Sequence, residues 1–223
     1  MYFYLPTDNI SQIDKICTDH FFSMRIKAGD VVTTTDLNGL KREIKILEAE
    51  KKLKLIRFEI LSSIYTPKNE NENILFQAIT DKIYLEKLIE IAPHADINTI
   101  YFFYSDRSPK GSINTDRLER ILYRSCEQAQ KMYKPKIEII DNALLINKIK
   151  HIKSIVLEIP DETTGMSSNI QNKTINSIIV GPEGGWSKLE MDLFVKNNLV
   201  FDSLGSVVYP AWLAGYTWFA KKS

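Results

Sequence analysis

One segment of the sequence decides the fold class: Ile178-Ile179-Val180-Gly181-Pro182-Glu183-Gly184-Gly185-Trp186-Ser187. Three apolar residues typical of a buried strand lead into a turn with three glycines, and Ser187 can cap a helix that follows. A glycine-rich turn at the carboxyl end of a parallel strand lets the backbone approach a ligand closely. The segment therefore predicts a strand, turn and helix with a ligand site at the turn. A tight turn without a ligand is the alternative.

The turn does not have the composition of a phosphate-binding loop. Neither Gly-x-x-x-x-Gly-Lys-Ser/Thr nor Gly-x-Gly-x-x-Gly occurs in it, and Glu183 would repel a phosphate group. A carboxylate beside backbone carbonyl groups instead suits a ligand with cationic character. These features argue against an enzyme that depends on a nicotinamide or another nucleotide cofactor.

Predicted strands and helices alternate on both sides of this segment, from Ile74 to the end of the chain. The predicted strands cover 74–79, 99–104, 154–159, 175–180 and 200–204. The predicted helices begin after Thr80-Asp81, begin at Asn114 or Thr115, and cover 187–197 and 211–220. Such alternation predicts an α/β domain whose mainly parallel sheet is covered on both faces.

The first 66 residues have a different pattern. Val31 to Thr35 is β-branched, Asp36-Leu37-Asn38-Gly39 is a turn signal, and two further strand-like stretches cover 41–47 and 53–65. Short strands at this spacing predict a small barrel. The polar segment 66–73 contains a proline and has no apolar periodicity, so it predicts a linker. We therefore expect two domains, 1–66 and 67–223.

Composition excludes several classes of protein. Of the 223 residues, 44% are hydrophobic and 26% charged, which rules out wholesale disorder, a collagen-like chain and a disulfide scaffold. No apolar run reaches the ~20 residues of a membrane span, and the N-terminus lacks the basic region of a signal peptide. We expect a cytoplasmic protein that contacts no membrane.

Cysteine usage agrees with a reducing compartment. Cys17 and Cys126 lie far apart and form no metal or redox motif, so reduced thiols are expected, with a disulfide between them as the alternative. No sequence cluster of histidine, cysteine and carboxylate residues offers a metal site. We therefore expect no metal.

Positive charge is concentrated in one part of the chain. The net charge is only +1, but residues 107–136, here called the basic stripe, contain eight basic and three acidic side chains. Nucleic-acid affinity depends on such a local patch rather than on the total charge. A solvated helix face is the alternative interpretation.

The glycine turn also carries a family resemblance. Val180 to Ser187, with Glu190 following, resembles the signature of RsmE-type enzymes, which are ribosomal small-subunit RNA (uracil-N3)-methyltransferases of the SPOUT class. Three further segments are similar to family motifs: Asp106-Arg107-Ser108, Cys126 to Lys131 followed by Pro135, and Arg25 with Gly29-Asp30. The resemblance covers nearly the whole chain.

The resemblance implies a fold, a reaction and partners. It implies a small PUA-like β-barrel followed by a SPOUT-type α/β domain with a C-terminal trefoil knot. It implies a homodimer that methylates N3 of a uridine in 16S ribosomal RNA or the small subunit, with S-adenosylmethionine as cofactor. The implied cofactor-binding residues are Leu157, Ile159, Pro160, Val180, Gly181, Pro182, Glu183, Gly184, Gly185, Leu204, Gly205 and Val208.

The resemblance also suggests catalytic and RNA-binding residues. Arg107 is expected to orient uracil and stabilise its developing negative charge, with Gln128 near it. Glu127 is a candidate general base, and its alternative is a helix-surface ion pair with Arg124 or Lys131. RNA contacts are expected from Arg25, Lys27, Arg107, Arg124 and Lys131, chiefly to phosphates.

The closing loop of the chain departs from the family pattern. Leu204 and Gly205 match it, but Val207, Pro210 and Trp212 replace two arginines and a glutamate of the family. Catalysis could be weakened by this change. The alternative function is therefore an RNA-binding or ribosome-assembly protein of the same fold.

Overall fold

The computed structural model describes residues 2–6, 20–53, 55–159 and 175–222. Within these ranges the chain forms two compact units. The first unit comprises residues 1–69 together with 123–134, and the second comprises 70–122 together with 135–223. The membership of 123–134 in the first unit was not predicted from the sequence, because these residues follow the predicted linker.

A four-stranded sheet organises the first unit. Its strands are β1 (Phe3–Tyr4), β2 (Val31–Thr35), β3 (Leu40–Glu50) and β4 (Leu55–Tyr65), in the order β1-β2-β3-β4. β1 pairs with β2 in parallel, and the other two pairings are antiparallel. The core of this unit consists of Phe3, Leu5, Phe21, Ile44, Ile46, Ile56 and Phe58. The three longer strands confirm the strand-rich pattern predicted for this region.

The β2–β3 turn shows why its sequence forms a hairpin. The Asp36 carboxylate accepts hydrogen bonds from the Asn38 and Leu40 amides, at 2.7 and 3.0 Å. Gly39 has a φ of +101°, and a Cβ there would lie 2.2 Å from the Tyr133 hydroxyl. Because the side chain of any other residue would collide with Tyr133, this position requires glycine.

A six-stranded sheet organises the second unit, and every pairing in it is parallel. The strands are β5 (Asn73–Ala78), β6 (Ile97–Phe103), β7 (Lys136–Ile140), β8 (Ile155–Leu157), β9 (Ser177–Val180) and β10 (Val200–Asp202). Their order is β10-β8-β9-β5-β6-β7. This arrangement confirms the predicted α/β class with a parallel sheet.

Five helices accompany these strands in the described residues. They are α1 (Lys82–Ile91), α2 (Thr115–Gln128), α3 (Asn142–His151), α4 (Lys188–Lys196) and α5 (Ala211–Lys222), and a short 3-10 helix covers Ala92–Ala95. The sequence pattern missed β7 and α3. The described helices include none that is both long and apolar enough to cross a membrane.

The strand register brings several carboxyl ends together. Val180 of β9 pairs with Gln77 of β5 on one side and with Leu157 of β8 on the other. Carboxyl ends of parallel strands meet at one edge of the sheet, where ligands bind in open α/β folds. The turns after β5, β8 and β9 therefore start at the same edge.

Close packing fixes the last helix on the sheet. Gly215 of α5 lies against Leu75 of β5, and a Cβ at Gly215 would be 2.8 Å from the Leu75 side chain. Glycine therefore allows the helix to approach the strand. Cys126 is buried and forms no disulfide within the described residues, and Cys17 lies outside them.

Candidate active site

A cavity of about 360 Å³ lies at the carboxyl edge of the parallel sheet, inside the second unit. Three segments line it: the end of β8, the glycine turn after β9, and the stretch from the end of β10 into α5. The volume lies within the range of small-molecule and cofactor sites. Its position agrees with the ligand site predicted at the glycine turn.

Ten of the predicted cofactor-binding residues line this cavity. They are Leu157, Ile159, Val180, Gly181, Pro182, Glu183, Gly185, Leu204, Gly205 and Val208. Gly184 is not among the lining residues, and Pro160 lies outside the described residues. The sequence analysis missed seven others: Glu158, Trp186, Val207, Tyr209, Pro210, Ala211 and Ala214.

Trp186 holds the glycine turn against the core. Its ring stacks on Phe103 and meets Phe194 edge-on, with centroid distances of 6.3 and 4.9 Å. Its Nε1 donates a hydrogen bond to the backbone oxygen of Leu157, 3.4 Å away. A Cβ at Gly181 would lie only 3.0 Å from the Trp186 ring. A side chain at 181 would therefore have to displace the Trp186 ring by a few tenths of an ångström.

A capping box begins helix α4 and also holds a neighbouring loop. The Ser187 hydroxyl accepts a hydrogen bond from the Glu190 amide, and the Glu190 carboxylate accepts one from the Ser187 amide. Glu190 Oε1 also accepts from the Asp106 amide at 3.1 Å, and the Ser187 hydroxyl donates to the Asp106 carboxylate. The loop after β6 is thereby anchored to the glycine turn.

Arg107 follows directly in this loop. Its Nη1 donates a hydrogen bond to the backbone oxygen of Gly184, 2.7 Å away. A Cβ at Gly184 would lie 3.4 Å from Arg107 Cβ. Gly184 thus faces Arg107 rather than the cavity. The structure brings together two predicted site residues that are 77 positions apart in sequence.

The cavity has an acidic character. Burial raises the pKa of the Glu158 carboxyl above its usual value. Burial also raises the pKa of Glu183, and the negative charge of Asp81 adds to this effect. Among the described lining residues there is no lysine, arginine or histidine. Two carboxylates in a largely apolar cavity fit a ligand that carries positive charge.

Glu127 lies in the first unit and is buried, with 6% of its surface exposed. Its Oε1 accepts a hydrogen bond from the Tyr4 amide at 2.7 Å, and its Oε2 lies 2.9 Å from Nδ1 of His20. The helix-surface ion pair is therefore the wrong interpretation of this residue. Its role as general base stays a prediction, and both carboxylate oxygens already have partners. Gln128 is exposed at the end of α2.

The predicted RNA-binding residues divide between the two units. Arg25, Lys27 and Arg124 are exposed and Lys131 is partly buried, all in the first unit, whereas Arg107 is exposed in the second.

Ion pairs neutralise part of the positive charge of the basic stripe. Arg117 pairs with Glu86, and Lys136 pairs with Glu138 at 2.6 Å. In the described ranges, no group of three or more histidine, cysteine and acidic side chains could hold a metal ion.

Comparison with known proteins identifies the family. A model of the RNA methyltransferase domain family matches residues 67–208, which include the glycine turn and most of the cavity lining. The chain belongs to this family. The match covers more than half of the chain and includes thirteen of the seventeen described residues that line the cavity.

Two curated relatives of this RNA methyltransferase come from strains of Helicobacter pylori. Both are named ribosomal RNA small subunit methyltransferase E. One is 25% identical over 182 residues, covering 79% of this chain and 78% of the relative. The other is 23% identical over 211 residues, covering 89% of this chain and 88% of the relative. The resemblance expected from the glycine turn is thus confirmed.

A solved structure has the same fold. It is the ribosomal RNA small subunit methyltransferase E of Neisseria gonorrhoeae, bound to S-adenosyl methionine. The two chains are 20% identical and superpose with a TM-score of 0.81, over 99% of this chain and 95% of the other. The likeness therefore extends over both units of this RNA methyltransferase.

Proposed function

We propose that this protein is an S-adenosylmethionine-dependent methyltransferase that methylates N3 of a uridine in 16S ribosomal RNA. The observation that carries the proposal is the cavity at the glycine turn, with two carboxylates and no basic side chain among its described lining residues. This cavity lies in a domain of the RNA methyltransferase family, and the curated relatives are named for the small ribosomal subunit. Uracil N3 follows from the resemblance to RsmE-type enzymes.

The lining residues fit this cofactor. Its positive sulfonium and ammonium groups suit Glu158 and Glu183, whose carboxylates lie in a partly buried and otherwise uncharged cavity. The backbone of the glycine turn and the apolar side chains of Val207, Val208 and Ala214 suit its less polar parts. When bound, S-adenosylmethionine supplies an electrophilic methyl group.

Arg107 is the chain's best-placed group to act on the RNA. One of its terminal nitrogens is committed to Gly184, which fixes the guanidinium beside the glycine turn. A guanidinium has five N–H donors, so others remain for a uracil oxygen or a phosphate. Uracil becomes negatively charged as N3 loses its proton, and a fixed positive charge stabilises that state.

The proposal includes a more detailed fold. A SPOUT-type domain over 67–223 has a C-terminal trefoil knot, and a PUA-like barrel forms over 1–66. Two observations support it: the boundary between the compact units falls near Thr66, and after β10 at the sheet edge the chain returns to pack α5 on β5. We further propose that the protein is a cytoplasmic homodimer.

Small ribosomal subunits that lack the modification provide the test. They are incubated with the purified protein and S-adenosylmethionine, and the digested RNA is analysed by mass spectrometry. The proposal predicts 3-methyluridine at one position of 16S RNA, in an amount that approaches one per subunit. Methylation at another atom would overturn the proposed specificity. Absence of methylation despite cofactor binding would overturn the proposed substrate.

An RNA-binding or ribosome-assembly protein is the second candidate, and the closing loop favours it. Trp212, in place of the family's glutamate, stacks with Tyr84 at a centroid distance of 6.4 Å. The Lys87 ammonium lies 5.4 Å from the Tyr84 ring and 5.3 Å from the Trp212 ring. The loop thus has a packing role of its own. Tight RNA binding without cofactor binding would favour this candidate.

A further inference from the structure

A second cavity, of about 210 Å³, lies at the carboxyl ends of β5 and β6 in the second unit. Its walls are the turn after β5 (79–82), the loop after β6 (109–114), and the first turns of α1 and α2. None of the predicted site residues lines it. We call it the second cavity, and the cavity at the glycine turn the first cavity.

Three observations show that the two cavities adjoin. β5 and β9 are neighbouring strands, with Gln77 paired to Val180, so the turns that follow them start side by side. Arg107, in the loop that continues into the wall of the second cavity, is bonded to Gly184 in the glycine turn. Asp81 lines the second cavity, and its charge acts on Glu183, which lines the first.

The charged residues that line the second cavity balance one another. They are Asp81, Lys82, Glu86 and Lys110, so acidic and basic side chains are equal in number. Glu86 is also paired with Arg117, which lies outside the lining and has its Nη2 2.8 Å from the carboxylate. The surroundings therefore have one excess positive charge, which is compatible with a neutral base that is attached to a phosphate backbone.

The uncharged polar groups suit a ligand with hydrogen-bonding edges. Thr80, Ser112 and Asn114 all line the cavity. The Thr80 side chain is buried, with 2% of its surface exposed, and its hydroxyl has no hydrogen-bond partner among the described residues. The volume is below the roughly 300 Å³ at which sites for drug-sized ligands begin. A single planar base fits this description.

Asp81 lines the second cavity, and its charge acts on Glu183 of the first. It occupies the N-cap position of α1, yet within the described residues its side chain makes no capping hydrogen bond. An N-cap aspartate normally accepts a hydrogen bond from the first turn. The carboxylate is therefore available to a ligand in the second cavity.

We propose that the second cavity holds the flipped acceptor base, uracil, and that the Asp81 carboxylate accepts its N3 proton. This inference rests on the proposed function and names the subsite of that reaction. The N3–H bond breaks, its electron pair stays on nitrogen as the nucleophile, and the proton passes to a carboxylate oxygen of Asp81. Asp81 is exposed, so it returns the proton to water. Extrusion of a base into such a pocket is common in enzymes that modify nucleobases.

Photo-crosslinking tests the location of the base without depending on turnover. Small-subunit RNA that contains 4-thiouridine is bound to the full-length protein with S-adenosylhomocysteine, irradiated and digested, and the linked peptides are sequenced. We expect crosslinks in 79–82 or 109–114. Crosslinks that occur only elsewhere would overturn the proposal, even if the protein methylates RNA normally.

Filling the second cavity gives a second, independent readout. Ser112→Trp places a large ring in its wall, and Ala143→Trp is the control at an exposed position of α3 outside both cavities. We expect Ser112→Trp to lose these crosslinks and to reduce single-turnover methylation at least 30-fold. Cofactor affinity and thermal unfolding should match those of the control. Unchanged crosslinking in a folded Ser112→Trp protein would contradict the proposal.

Asp81→Asn tests the proton acceptor. It removes the base but keeps the size of the side chain, so the crosslinks should persist while methylation falls at least 100-fold. A residual rate that keeps the wild-type pH dependence would contradict the proton-acceptor role.

If wild-type protein binds cofactor but methylates no RNA, the proposed function fails. In that case the crosslinks still decide whether a base enters the second cavity. An NMR titration with uridine monophosphate, which follows the amide signals of Gly111 and Ser112, decides it independently.

Discussion

Arg107 and Gly184 are joined by a hydrogen bond of 2.7 Å between a guanidinium nitrogen and a backbone carbonyl oxygen. The bond links the loop after β6 to the glycine turn after β9. Because Gly184 has no side chain, the aliphatic part of Arg107 lies directly over it. The positive charge is thus held beside the glycine turn, whose neighbouring residues Glu183 and Gly185 line the first cavity.

Arg107→Ala should lower methylation and leave cofactor binding almost unchanged. Loss of one fixed donor that stabilises developing negative charge typically costs about 10²–10³ in rate. We expect a similar loss in single-turnover methylation, with the dissociation constant of S-adenosylmethionine within threefold of wild type. Lys150→Ala, exposed on α3 and outside both cavities, is the control for general loss of positive charge. Equal effects of the two substitutions would contradict the specific role of Arg107.

Gly184→Val should act on Arg107 rather than on the cofactor. The family resemblance implies that Gly184 binds the cofactor, but a Cβ there would meet Arg107 at 3.4 Å. We expect slower methylation with cofactor affinity reduced less than threefold.

Calorimetry of this variant beside Gly181→Val separates the two positions. A Cβ at 181 meets the Trp186 ring at 3.0 Å, so Gly181→Val should disturb the cavity and lower the melting temperature.

Glu158→Gln and Glu183→Gln should each weaken cofactor binding, by about 3- to 30-fold, because a partly buried carboxylate then no longer faces the positive ligand. Burial raises both pKa values in the free protein, and a bound cation favours the ionised carboxylates. The affinity for S-adenosylmethionine should therefore fall as the pH drops through these raised pKa values, because the two carboxylates become protonated. Above these pKa values the affinity should be constant. Calorimetry across pH 4.5–8 provides the measurement. Asp192→Asn, exposed on α4, is the control.

Glu127→Gln should lower stability more than catalysis. The carboxylate holds the Tyr4 amide and lies beside His20, so its loss should destabilise the first unit by about 1–3 kcal/mol. Denaturant unfolding measures this change. If Glu127 is instead the general base, methylation per folded molecule will fall by about 100-fold or more. A decrease of less than threefold would assign the residue a structural role.

The sequence predicted the parts of this molecule that depend on local patterns. Apolar runs marked β5, β6 and β9, and Ser187 marked the start of α4, because strand burial and helix capping are properties of neighbouring residues. The glycine turn located the first cavity for the same reason. Gly181 lies against Trp186 of the same turn, whereas the contact of Gly184 with Arg107 is a long-range one that the sequence did not reveal.

The features that the sequence did not predict depend on contacts between residues that lie far apart in the chain. Glu127 looked like a surface residue on a charged helix, and its burial depends on β1 and His20, more than a hundred residues away. Trp186 looked like part of a turn, whereas it packs into the core against Phe103. Glu158 and Asp81 had no motif to mark them. Only the meeting of strand ends at one sheet edge shows that they belong to the site.

Calorimetric titration with S-adenosylmethionine measures whether a cationic methyl donor binds at the glycine turn. We expect saturable binding at about one site per chain, and a marked loss of affinity when Glu158 and Glu183 are both replaced by glutamine. Absence of binding to the folded protein at millimolar cofactor would contradict this expectation. Binding that the double substitution leaves unchanged would contradict the assignment of the cavity.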